Sequence, residues 1–295
     1  MGKYHVKHWQ EIHGAQLTAV VDIHSDRIAQ YTTSPIQGFD TIATMLDANV
    51  VDAVSITSPT RLHFDHAQQC LNRGIHVLIE KPIATSVEEG NQLIEIATRN
   101  NCTLQVGHIE RFNPAVTTLL SWKNEGILGA PIALSTERVS PMPTQIQDAD
   151  VMVDLAVHDL DILTAIIGTL PEKVIGTFTS ACLVGRADSA ILALQYESAI
   201  ASVSVGWNSP IKRRRLTGYF KNGLVELDFI RQSADFFPSD SSHPERHIQP
   251  VTPILPLKLE LASFLSAIQH GSPIAVSGTD GVLALTLTLQ AKQSS

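Results

Sequence analysis

The sequence predicts an α/β chain in two parts: a parallel sheet interleaved with helices over residues 1–113, then a second domain over 114–295 dominated by consecutive strands. Three observations lead there. Apolar strand runs alternate regularly with helical patterns as far as Gly107, the mark of a parallel sheet. From Glu172 to Asp228 the pattern changes to strand after strand with only turns between, which fits antiparallel pairing. And 295 residues is long for one hydrophobic core, so two domains are the default.

The elements follow in order. Residues 3–12 read as a helix that His13-Gly14 ends, and Gln16 to Val21 is a buried-strand run closing on Asp22. Ser25 to Tyr31 and Thr41 to Asn49 are short helices, and Val50 to Thr57 is a strand stopped before Pro59. Leu62 to Arg73 is helical with Gly74 as its stop, and His76 to Ile79 is a strand running into Glu80-Lys81-Pro82. Ser86 to Asn100 is amphipathic, with Val87, Leu93, Ile94 and Ala97 available to one face, and Thr103 to Gly107 is a strand. Asn113-Pro114 opens a helix to about Asn124, Gly129 to Val139 is a strand, and Pro141 to Thr144 is a loop. Ala149 to Ile167 is predicted as one helix ending at Gly168. Strands are expected at Val174–Ser180, Ala190–Tyr196, Ala199–Trp207, Arg213–Phe220 and Leu224–Asp228. Gln232 to Val251, rich in Ser, Pro, Asp and His, reads as a long loop or flap, and helices at Leu257–His270 and Thr279–Lys292 complete the chain.

Composition narrows the function. Apolar content of 44% with 17% charged residues is ordinary for a globular protein, and the formal charge of −8 argues against general nucleic-acid or anionic-membrane binding. The one basic run, Lys212 to Arg215, is read either as a solvated face or as a clamp for an anionic group such as a diphosphate. The cysteines, Cys70, Cys102 and Cys182, form no CxxC pair, which fits reduced thiols in a cytoplasm. There is no signal-peptide core at the start and no apolar run long enough to span a bilayer. His63 and His66 stand three apart on a helix, but no third ligand accompanies them, so no metal is expected.

Two short motifs carry the chemistry. Lys81 follows a strand, and ligands of open parallel sheets collect beyond the carboxyl ends of strands. Asp154 and His158 lie four apart, hence on one helical face, with Asp161 three residues further on and able to orient the imidazole. A Lys and a carboxylate-paired His are groups that move protons near neutral pH. Asp159 points elsewhere and reads as structural, while Trp207 and Tyr219 read as core or sheet packing, the alternative being that they pack on a substrate ring.

A dinucleotide-binding domain opens with a strand and Gly-x-Gly-x-x-Gly, and an acidic residue ends the next strand about 20 positions on. Here that residue is Asp22, and counting back reaches Gly2, which opens a helix as the third glycine should. The first strand and the first two glycines are then expected upstream of Met1, the alternative being a chain that never had them. A carboxylate at Asp22 hydrogen-bonds both adenosine ribose hydroxyls and repels a 2′-phosphate, so NAD is expected rather than NADP.

Thr57-Ser-Pro-Thr60 with His63, Glu80-Lys-Pro82, Val106-Gly-His-Ile-Glu-Arg-Phe-Asn-Pro114 and Asp154-x-x-x-His158, in this order, resemble the Gfo/Idh/MocA family of NAD(P)-dependent oxidoreductases over nearly the whole chain. The stretch Gly107 to Pro114 looks most like the branch containing UDP-N-acetylglucosamine 3-dehydrogenases. The resemblance implies a Rossmann domain followed by an α/β domain with a large, mainly antiparallel open sheet, often used for contacts between copies in a homo-oligomer. It implies Lys81, Asp154 and His158 at the reaction centre, and Thr57, Pro59, His63, Glu80 and Arg111 near the nicotinamide end of the cofactor. The expected activity is NAD-dependent oxidation of a hydroxyl of a sugar, a nucleotide sugar such as UDP-N-acetylglucosamine being the expected substrate. The rival is a non-catalytic relative that binds a sugar or a partner because its nucleotide-binding start is missing.

Overall fold

A computed structural model describes residues 1–32, 34–143, 150–181, 185–240, 244–248, 250 and 253–294. Cys182, Thr144 and Ala149 lie outside the described residues. The chain forms two compact units, Met1–His108 with Leu257–Val282, and Ile109–Pro256 with Leu283–Ser295.

The first unit alternates α1 (Gly2–Glu11), β1 (Ala19–Val21), α2 (Ser25–Ala29), β2 (Gln37–Phe39), α3 (Ile42–Ala48), β3 (Ala53–Ile56), α4 (His63–Asn72), β4 (His76–Glu80), α5 (Val87–Arg99) and β5 (Leu104–Gly107). All its strands pair in parallel, in two separately hydrogen-bonded groups, β1-β2 and β3-β4-β5. Val77, Leu78, Ile79 and Glu80 of β4 are all buried, as expected of a central parallel strand covered on both faces. Helix starts follow local chemistry. Thr41 Oγ1 accepts from Thr44 N at 3.2 Å and Ser86 Oγ from Glu89 N at 3.2 Å, each filling an orphan donor of a first turn. β2 had no clear sequence signal.

The sequence placed residues 257–282 with the second domain, whereas by contact they belong to the first unit. The reason is apolar burial and backbone pairing. Leu257, Leu261 and Phe264 of α8 (Pro256–His270) are buried, and Phe264 meets Trp9 of α1 edge-on at 6.5 Å. Val106 N donates to Val276 O at 3.0 Å, and Gln105 bridges Ser277. The last helix, α9, runs Gly278–Gln293.

The second unit is an eight-stranded sheet covered on one face by helices. Its strands are β6 (Pro131–Val139), β7 (Lys173–Thr179), β8 (Ser189–Gln195), β9 (Ile200–Gly206), β10 (Arg213–Phe220), β11 (Gly223–Asp228), β12 (Ser233–Pro238) and β13 (Arg246–Ile248). They lie in the order β13-β12-β11-β10-β6-β9-β8-β7, and all neighbours are antiparallel except β6 and β9. The expected loop at 232–251 therefore contributes two strands. Ala234 and Phe236 of β12 alternate into the core, a period-2 signal that the polar composition around it obscured.

Helices α6 (Pro114–Asn124) and α7 (Val157–Ile167) cover the inner face, and Leu119, Trp122, Leu160, Leu163, Val203, Leu216 and Phe236 share one core with it. Asn113 caps α6, its Oδ1 accepting from Ala115 N at 3.1 Å, and Gly168 ends α7 at φ 84°, a left-handed conformation glycine adopts without a Cβ penalty. Trp207 packs in the core as expected, but Tyr219 is 54% exposed on the outer face. There it joins Ile132, Ile175, Ile191 and Ile200, the last two 63% and 61% exposed.

Candidate active site

In the first unit the sites of interest gather at the carboxyl ends of β3, β4 and β5. Thr57 to Pro59 follow β3, and Glu80 ends β4 with Lys81, half-buried, and Pro82 next. Glu80 pairs with Gly107 of β5, where an added Cβ would stand 3.2 Å from the Glu80 Cα and crowd the Glu80 backbone and carboxylate. The Glu80 carboxylate is held by His5 of α1, whose Nε2 lies 3.0 Å from Glu80 Oε1.

His63, expected near the nicotinamide, is a buried tie between two strand-end loops: Nδ1 is 2.8 Å from Pro82 O and Nε2 is 2.9 Å from Ser58 O. Burial lowers its pKa against the raising effect of the two carbonyls, and a neutral imidazole donates to only one of them. The effect is to hold the Thr57–Pro59 loop against the Lys81–Pro82 turn. His66 Nδ1 adds a 3.0 Å contact to Ser58 Oγ.

At the other end of the expected cofactor site, Gly2 opens α1 and Met1 gives no side-chain cap, so first-turn N–H groups remain for an anion. An added Cβ on Gly2 would lie 3.1 Å from Thr57 Oγ1, which makes this a close approach of backbone to loop. Asp22 follows β1, with Oδ1 accepting from His24 N at 2.9 Å and Oδ2 3.4 Å from the exposed Arg27.

The second unit holds Asp154 and His158. The single regular helix expected here begins instead as a π-helical turn, Met152–Ala156, that passes into α7. Asp150 starts it by accepting from Met152 N and Val153 N, both at 3.1 Å. The wider π turn carries Asp154, and His158 follows it in the first turn of α7. Such turns inside α-helices are frequent at functional sites. Asp161 accepts from Arg111 Nε at 2.8 Å, which ties the Arg111 side chain to α7. Asp159 is structural, as expected.

Two features had escaped sequence reasoning. One is a buried ionic ladder. Arg138 is fully enclosed and makes two bonds to Asp159 and one of 2.7 Å to Glu110 Oε1, which also accepts from Arg214 Nη1 at 3.0 Å. Burial works against the Arg138 charge, yet the carboxylates of Asp159 and Glu110 outweigh it and raise the guanidinium pKa. Asn113 Nδ2 completes Glu110 at 3.1 Å, so Glu110, Arg111 and Asn113 of the Gly107–Pro114 motif serve to anchor α7, β6 and β10. The other is Glu260 of α8, fully buried, with no hydrogen-bond partner for either carboxylate oxygen among the described residues. Burial first, then the charge of Glu80, push its pKa well above the usual range. Its signal was present: Glu260 falls in phase with Leu257, Leu261 and Phe264 on the apolar face.

Residues 1–108 match the oxidoreductase family described as Gfo/Idh/MocA, NAD-binding Rossmann fold, and residues 118–226 match the Gfo/Idh/MocA C-terminal domain. The chain belongs to the Gfo/Idh/MocA family. It is 28% identical to UDP-N-acetylglucosamine 3-dehydrogenase of Acidithiobacillus ferrooxidans, over 99% of this chain and 93% of that protein. A solved structure of that enzyme superposes with a TM-score of 0.90, again covering 99% of this chain and 93% of the other. Myo-inositol 2-dehydrogenase of Thermotoga maritima is 25% identical, covering 100% of this chain and 93% of the relative.

As a family member the chain is an NAD-dependent oxidoreductase. The residues present fit that cofactor: a helix start without a Cβ at Gly2, and a carboxylate beyond the strand at Asp22. Among the described residues no helix is long and apolar enough to cross a membrane, and no group of three potential metal ligands occurs.

Proposed function

We propose that this protein oxidises a secondary hydroxyl of a nucleotide-linked amino sugar, of the UDP-N-acetylglucosamine class, to a ketone. The observation that carries the reading is the likeness, through both domains at a TM-score of 0.90 and 28% identity, to UDP-N-acetylglucosamine 3-dehydrogenase. The coarser statement, a sugar or polyol dehydrogenase, rests on a wider set of relatives, myo-inositol 2-dehydrogenase among them. The alternative of a non-catalytic relative draws no support from these proteins, which are named as dehydrogenases.

NAD, when bound, supplies a hydride acceptor; the chain's residues place the sugar and handle the proton. Gly2 at the start of α1 would lie at the pyrophosphate and Asp22 would hold the adenosine ribose, while Thr57, Pro59 and Glu80 would frame the other end of the cofactor. His5 fixes Glu80, and His63 fixes the loops on either side of it, so the end of β4 that presents Lys81 is held from two sides. As the carbon–hydrogen bond gives up its electron pair and the carbonyl forms, the hydroxyl proton passes to His158 or to Lys81. Asp154 tunes the imidazole or binds the sugar.

The exposed apolar strip of Ile132, Ile175, Ile191, Ile200 and Tyr219 on neighbouring strands supports a homo-oligomer built on the outer face of this sheet. A cytoplasmic setting agrees with the free thiols of Cys70 and Cys102, the former buried with its pKa raised to about 12.

The test is to mix purified protein with NAD and a panel of UDP-N-acetylglucosamine, UDP-N-acetylgalactosamine, free N-acetylglucosamine and myo-inositol, and follow cofactor reduction by absorbance. Turnover with a UDP-sugar and a keto-sugar product by mass spectrometry is expected. Turnover with free polyols alone would reject the nucleotide-sugar reading and leave a polyol dehydrogenase.

A further inference from the structure

The run Lys212 to Arg215 enters β10 at the rim of a concavity of about 260 Å³, lined also by Asp228, Ile230 and Arg231. That volume is below the roughly 300–1,000 Å³ of sites that enclose a whole small ligand, so it suits one group of a larger molecule. Five cations and a single carboxylate line it, in a chain whose formal charge is −8. Such a local reversal of sign concentrates anions.

Two of the five cations carry a close ion pair, Arg213 with Glu137 at 3.2 Å and Arg214 with Glu110 at 3.0 Å; the other three do not, among the described residues. Lys212 and Arg231 have no carboxylate partner among the described residues, and Arg215 reaches Asp228 only at 3.8 Å. Asp228 itself spends Oδ1 on the backbone N–H groups of Ile230 and Arg231, at 3.0 and 2.9 Å. Repulsion from Arg214, then burial, lowers the Lys212 pKa, and burial together with Arg138 lowers that of Arg214. These positive charges oppose one another, and an anion between them would relieve the strain.

The patch is also preorganised. Arg214 is 30% exposed and fixed at its inner end by Glu110. Glu110 binds Arg138, and Arg138 binds Asp159, the residue after His158 on α7. The ladder therefore registers the basic strand against the helix that carries His158, within one compact unit. A guanidinium held in place loses little entropy on binding, and its fork suits phosphate oxygens.

We propose that this concavity binds a diphosphate, the one that links sugar and nucleoside in the substrate, with Lys212 and Arg231 as the contacts that pair with no carboxylate among the described residues. The identification of its source rests on the nucleotide-sugar reading above; the cofactor carries the same chemical group and is the competing source.

The experiment compares the wild-type chain with Lys212→Ala, Arg231→Ala and the charge-reversed double variant Lys212→Glu with Arg231→Glu, all checked by thermal melts. Calorimetric titration with UDP, in the absence of NAD and sugar, should show binding weakened about tenfold or more in the double variant, as expected for losing two charge-assisted contacts. Uridine, which lacks phosphate, should bind alike in both. In turnover, KM for UDP-N-acetylglucosamine should rise by a similar factor with kcat within twofold and KM for NAD unchanged. Unchanged UDP binding overturns the proposal, and so does a rise in KM for NAD in place of that for the sugar. If no nucleotide sugar is oxidised yet UDP binds through Lys212 and Arg231, the diphosphate site stands and the functional reading falls. If a UDP-sugar is oxidised with the same KM in the double variant, the site falls and the functional reading stands.

Discussion

Arg138 and Asp159 are joined by two hydrogen bonds of 3.0 Å each, from Nε and Nη2, in the interior of the second unit. A third bond from Arg138 to Glu110 and an aromatic face, Phe229 at 5.3 Å, complete its surroundings. This arginine takes the place of an apolar core residue on β6, and its worth lies in orienting what it holds.

Asp159→Asn and Arg138→Met should each destabilise the fold by about 3–5 kcal/mol, because the partner left behind is a buried charge without compensation. Denaturant melts measure this. Burial raises the Glu110 pKa, but Arg138 and Arg214 more than reverse that and hold it below the usual value. Its folded pKa thus lies under its unfolded one. The stabilisation is present above the ordinary carboxylate range and is lost as pH falls through the folded pKa. Glu110→Gln should therefore weaken the fold at pH 7 and lessen its sensitivity to acid.

Lys81→Ala and His158→Ala should each reduce kcat by about 10²-fold or more on the true substrate, the usual scale for losing a proton-transfer group, with melts near wild type. Full turnover in both variants would remove them from the reaction centre.

Asp22→Ala should raise KM for NAD about tenfold, the scale of a charged hydrogen-bonding partner, and narrow the preference over NADP. Cofactor titrations with both dinucleotides decide this, an unaltered ratio excluding Asp22 as the ribose anchor.

Glu260→Gln should stabilise the protein at alkaline pH. The folded pKa of Glu260 is raised, so its favourable contribution is complete below the unfolded carboxylate pKa and disappears as pH climbs through the folded value. The amide cannot ionise, and its melting temperature should exceed wild type by several degrees at pH 8 to 9 and converge with it in acid. Parallel melting curves over pH test the assignment; identical curves would show that Glu260 is not held neutral.

Ile191→Glu with Ile200→Glu should leave the core intact, since both side chains stand on the outer face, and should shift the protein to a smaller species in sedimentation velocity. An unchanged sedimentation coefficient would place any oligomer contact elsewhere.

Much of this molecule was legible in its residues. The apolar run into Glu80, the capped pattern after Ser86 and the alternation of Ala190, Leu192 and Leu194 each announce their element, because local periodicity reports which face is apolar. The Glu80-Lys81-Pro82 turn and the Asp154/His158 segment were found as motifs for the same reason: each lies within a few residues of the pattern that positions it.

Other features needed the folded chain. The π turn before His158 changes hydrogen-bond spacing without changing the apolar pattern, so apolar periodicity gave no sign of it. Glu110 and Arg214 meet across 104 positions of sequence, and Arg138 and Asp159 across 21. The return of residues 257–282 to the first unit is likewise settled by a strand edge and an apolar surface that only the assembled unit presents. Sequence by itself determined the elements, their class and the motif residues, because dihedral preference and apolar phase act within a turn or two. Tertiary structure alone decided which charges share a carboxylate and which acid lies buried beside Glu80, because hydrogen bonding and desolvation depend on neighbours the chain brings together only when it folds.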